Sequence, residues 1–109
     1  MSRAKVISGY GLQNAFQQVV VSGNITMSAS NNYFVDTTSV ARTLTLPASA
    51  SLGDEIHVFD SGNNASSKNI TIASNGGKIN GSVQDLVIDV NAAAVVLIYT
   101  GSSYGWRAG

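Results

Sequence analysis

Between Tyr33 and Arg107, apolar residues return at every second position in short runs, and Gly, Asn and Ser punctuate the gaps. The runs are Tyr33–Thr38, Thr43–Ala48, Gly53–Asp60, Asn69–Ile72, Gly77–Gly81, Leu86–Asp89, Ala94–Tyr99 and Gly105–Arg107. Period-two alternation puts one side-chain set on each face of a strand, so the pattern predicts a sheet with one face buried. Turn residues at short intervals predict antiparallel neighbours. Leu44 and Leu46 alternate with Thr43 and Thr45 before Pro47 stops the strand, and Ile56 and Val58 alternate with Glu55 and His57. Ala94–Tyr99 is apolar on both faces. That predicts a strand buried on both sides, one of them against a second subunit. The fold class is all-β.

Ser61-Gly62-Asn63-Asn64 and Asn75-Gly76-Gly77 carry residues that accept a positive φ at little cost, and Asn80-Gly81 is a hairpin signal or a bulge. The stretches Asn24–Asn31 and Asn69–Asn75 look alike, which a shared strand-then-turn grammar explains without a true repeat. No solenoid-like period is evident.

Residues 1–23 read differently from 24–109. Leu12, Ala15, Phe16, Val19 and Val20 have the spacing of a short amphipathic helix between Gly11 and Gly23, whereas Val19-Val20-Val21 is β-branched and favours a strand. Both conformations stay open. The expected organisation is an N-terminal arm or docking segment, 1–23, followed by a β-domain, 24–109. The arm packs on a neighbour or forms the first element of the core.

Charge narrows the function classes. Only 11% of the residues are charged, and six basic residues balance six acidic ones. A nucleic-acid binder needs a basic excess to displace counterions from phosphate, so no nucleic-acid partner is expected. A surface solvated by hydroxyls and amides does not repel a copy of itself, and β-edges on such a chain are most simply closed by self-association. With no cysteine there is no disulfide framework or thiolate site. No apolar run is long enough for a membrane helix, and the start at Met1 has no apolar leader core, so neither a membrane partner nor a secretory signal is expected.

Candidate chemistry is sparse. His57 is the only histidine, and with no Cys or second His it lacks partners for a metal site. Asp54, Glu55 and Asp60 are close in sequence but form no calcium-loop pattern, and solvated strand ends explain them. Gly77-Lys78 is not a phosphate loop, because Ile72 stands where the first glycine belongs and Ile79 where the hydroxyl belongs. No serine occupies a nucleophile elbow. No catalytic residue, cofactor or metal is assigned. Tyr104, Trp106 and Arg107 form a candidate surface-recognition group of rings and a cationic fork; alternatively Trp106, with Tyr99, closes the core.

The order of motifs resembles a β-structured module of tailed-bacteriophage virion proteins, found in tail fibres, appendages and capsid decoration proteins. Tyr33, Val35 and Asp36 match its opening strand, Thr43–Pro47 its second motif, and Gly53, Asp54 and Ile56 its third. Asn69–Ile72, Lys78–Gly81 and Gly105-Trp106 match the remainder. The resemblance covers about two thirds of the chain. It implies a small antiparallel β-sandwich or barrel, assembled as a homotrimer, in a virion protein made in the host cytoplasm, and it carries no catalytic residue. The short chain departs from long fibres in having no shaft. That suggests a non-enzymatic decoration or cement protein whose partners are itself and the major capsid protein or other virion proteins. Leu12, Phe16, Val19 and Val20 are then the capsid-docking candidates. The alternative is an appendage tip binding a host-surface glycan.

Overall fold

The computed structural model describes residues 16–109. Among these residues the chain is all-β, without helices, and its nine strands form two separate open sheets. The strands are β1 (Gln17–Val21), β2 (Ile25–Thr26), β3 (Asn31–Val35), β4 (Arg42–Thr45), β5 (Glu55–Asp60), β6 (Ile70–Ala73), β7 (Leu86–Ile88), β8 (Ala94–Tyr99) and β9 (Trp106–Ala108). The five-stranded sheet has the order β9-β8-β5-β3-β1, and the four-stranded sheet has the order β2-β4-β6-β7.

Up to β6 the chain alternates between the sheets, so each strand pairs with the next but one. β1, β3 and β5 are mutually parallel, with Val19 opposite Tyr33 and Tyr33 opposite Val58. β2, β4 and β6 are parallel as well, with Ile25 opposite Leu44 and Leu44 opposite Ile72. Antiparallel pairing, expected throughout, is confined to β6–β7, β5–β8 and β8–β9. Both sheets are therefore mixed. The look-alike stretches beginning at Asn24 and Asn69 flank β4 on either side, but Ile25 shares its row with Ile72 rather than Ile70.

The inward rows of both sheets form one core that includes Val21, Val35, Leu44, Leu46, Ile56, Val58, Ile70, Ile72 and Leu97. Burial of this apolar surface is the main stabilising term. β1 belongs to this core through Val21, and its pairing with β3 places Gln17–Val21 inside the β-domain. Of the two conformations left open for this stretch, the strand is the one formed where it is described, because the β-branched Val19–Val21 run gains both a ladder and a buried face. The sheet begins before the boundary expected after Gly23.

The turns follow their residue chemistry. Asn80 and Gly81 both have positive φ, 53° and 91°, and Ile79 bridges Ser82 across them, so this pair makes the tight hairpin. Gly105, at φ 73°, lies so close to Lys78 that a Cβ would overlap its carbonyl oxygen.

Candidate interaction surfaces

The two sheets present outward faces of different chemistry. On the four-stranded sheet the outward residues are Thr26, Thr43, Thr45, Thr71 and Ala73, with Val87 at the far strand. Hydroxyls dominate there. On the five-stranded sheet one outward row runs Val20, Phe34, Phe59, Ala94, and the next runs Gln18, Asn32, His57, Val96. Phe34 and Phe59 stack with their centroids 5.2 Å apart, and Val20 is 78% exposed at the row's end.

The polar row is tied side chain to side chain. Asn32 Nδ2 donates to Gln18 Oε1 at 3.1 Å, Asn32 Oδ1 lies 2.7 Å from His57 Nδ1, and His57 Nε2 contacts the Glu55 carboxylate. The Phe16 ring stacks on the His57 imidazole at 4.7 Å. His57 thus acts as a joint in a sheet-surface ladder. Of the docking candidates, Leu12 lies outside the described residues. Phe16 covers His57, Val19 is half-buried toward the core, and Val20 is open to solvent.

A second apolar surface lies along β7, the outer strand of its sheet. Leu86, Val87, Ile88, Val90, Val95 and Ala108 line a cleft of about 210 Å³ where the two sheets part. Val87 is 50% exposed and Val90 63%. In β8 only Leu97 is fully buried, while Val96 and Ile98 face outward. Among the described residues the two-sided burial expected for this strand is absent, because no third layer of those residues covers the outer face.

The C-terminal group is divided. Trp106 is 3% exposed and packs edge-on against Tyr99 at 5.4 Å, so it takes the core-closing alternative and leaves the surface-recognition group. Tyr104 is 60% exposed and Arg107 points outward. A cleft of about 400 Å³ lies nearby, with a mixed lining that includes Pro47, Ala50, Asn75, Lys78, Val83 and Tyr99.

The three acidic residues near β5 point to different tasks. Asp54 accepts from the Ser51 N–H, Glu55 meets His57, and Asp60 is buried. Among the described residues no group of three or more His, Cys, Asp or Glu could hold a metal ion. Asp60, expected to be a solvated strand end, is instead buried, which corrects that reading. Its carboxylate accepts from the Thr37 hydroxyl at 2.5 Å and from the N–H groups of Ala65 and Ala92, each at 3.0 Å. Burial alone would raise its pKa, but the Thr37 hydroxyl and the backbone donors of Ala65, Ala92 and Asn63 outweigh it and hold the carboxyl below its usual range. The signal in sequence was an acid at an inward-facing strand position beside a Gly-Asn turn.

Compared with known proteins, the chain matches no family model and no curated protein sequence.

Proposed function

We propose that the protein is a non-enzymatic structural component of a tailed-bacteriophage virion, a homotrimer that decorates or cements the capsid shell. The observation that carries this reading is the open apolar strand edge at β7, with Val87 and Val90 exposed beside a cleft lined by aliphatic side chains. An uncovered apolar edge of this kind recruits other strands, and a closed oligomer removes the hazard. The two inward faces suit a sandwich-like domain, and the phage-like motifs fall on parts that hold it together. The Tyr33 hydroxyl accepts from the Ser28 N–H at 2.7 Å, Thr43–Leu46 supplies two buried leucines, and Gly105 permits the close approach to Lys78. In this role Phe16 and Val20 reach toward the capsid.

The purified protein is expected to sediment as a trimer, to bind expanded capsids and to raise their heat resistance. A protein that stays monomeric at micromolar concentration and leaves capsid stability unchanged would sink the proposal.

A second reading, a tip module that recognises a host-surface glycan, is favoured by the exposed Tyr104 ring near the cleft at Lys78. Rings and hydroxyl-bearing clefts suit sugars. This reading expects the protein to bind host cells and block adsorption, and the cement reading expects neither.

A further inference from the structure

The polar row on the five-stranded sheet has a direction that is fixed at both ends. At one end the Phe16 carbonyl oxygen can only accept, and Gln18 Nε2 donates to it at 3.4 Å. At the other end the Glu55 carboxylate can only accept, and it meets His57 Nε2. Between them Asn32 Nδ2 donates to Gln18 Oε1 at 3.1 Å, and Asn32 Oδ1 lies 2.7 Å from His57 Nδ1. Four links thus run from Phe16, at the entry to edge strand β1, to the central strand β5.

Each link needs one proton between its two heavy atoms. An amide that joins two neighbours offers a donor to one and an acceptor to the other, so Gln18 and Asn32 supply one proton each whichever way they are turned. The other two must come from His57. A neutral imidazole carries one N–H and an imidazolium two. With the neutral ring, two acceptors face each other somewhere along the row. Turning the amides moves that defect without removing it, and the long link from Gln18 to the Phe16 carbonyl yields most easily. The Phe16 ring also stacks on the imidazole, with centroids 4.7 Å apart and planes 22° from parallel, and an aromatic face attracts a cationic ring more strongly. Loss of one proton therefore weakens both holds on Phe16.

We propose that this row is a proton-operated latch on β1, closed when His57 carries both ring protons and loosened when it loses one. Among the described residues the charged groups on this face are Glu55 and Arg107, and Arg107 lies across Ile98 from Glu55. The neighbouring strands bring Gln18, Asn32, Phe34 and Val96 toward the imidazole, none of them charged.

The Gln17 amide, which donates to the Ser30 carbonyl at 3.0 Å, reports on the latch in the full chain. Its exchange protection, referred to the intrinsic rate at each pH, is expected to be about threefold or more higher at about pH 5 than at about pH 8.5, values that bracket the ordinary imidazole range. The Leu46 amide, bonded to Ala73 in the other sheet, serves as the unchanged reference. Glu55→Gln separates the latch from general effects of pH. Its new amide donates to a neutral ring, so the proton count closes at both pH values and the difference is expected to vanish. Equal Gln17 protection at the two pH values in the unmodified chain, or the same fall in Glu55→Gln, would overturn the proposal. His57 is the only histidine, so its ring nitrogen shifts are read without overlap. They are expected to change over the same pH interval as Gln17 protection, and a separate interval would also overturn the latch.

Discussion

The Asp60 carboxylate joins three stretches that are distant in sequence: Thr37 after β3, Ala65 in the turn after β5, and Ala92 before β8. Removing it strands those donors in a buried place, so Asp60→Ala is expected to lose about 3–5 kcal/mol in denaturant unfolding. Asp60→Asn, which keeps shape and one acceptor, should lose about half as much. The pH dependence follows from the direction of the shift. A carboxyl whose folded pKa is depressed contributes stability above its unfolded value, and that contribution is lost as pH falls through the folded one. Stability should therefore decline below about pH 4, and Asp60→Asn should flatten that decline. Gly105→Ala tests a different constraint. Its positive φ and the overlap with the Lys78 carbonyl should cost about 3 kcal/mol or more, read as a lowered Tm. The Asn80-Gly81 turn was legible because its chemistry is local. The role of Asp60 was not, since Ala92 is brought to it only by the fold.

At the scale of strands, alternation reveals which residues share a face but not which strand lies alongside. Leu44 and Leu46 were readable as buried, and they are. That β4 pairs in parallel with β2 and β6, rather than with its sequence neighbours, depends on the chain crossing between sheets. Short turns between runs suggested hairpins, but most of them bridge the two sheets instead. β1 shows the same limit, because a helical spacing of apolar residues gave way to β-branched stiffness once β3 offered a partner. The outer strand β7 carries the assembly prediction. Val87→Lys with Val90→Lys places charge on exposed positions and should convert the proposed trimer to monomers in sedimentation with little change in Tm. Leu44→Ala, fully buried in an interior strand of its sheet, should instead cost about 3 kcal/mol.

For the whole molecule, the contrast between faces organises the account. One outward face bears hydroxyls, the other bears aromatic and aliphatic rows beside a polar ladder, and the β7 cleft leaves an apolar edge. The candidate surfaces were partly legible. Phe16 and Val20 were singled out from spacing, and both lie on the outward face of the five-stranded sheet, whereas Trp106 packs inward against Tyr99. The β7 cleft was not legible, because it forms only where the two sheets part. In the proposed role these surfaces serve assembly on a virion shell. Cryo-electron microscopy of virions that carry the protein tests it most directly. Trimeric density at capsid three-fold positions is the predicted result, and density confined to the tail tips would contradict it.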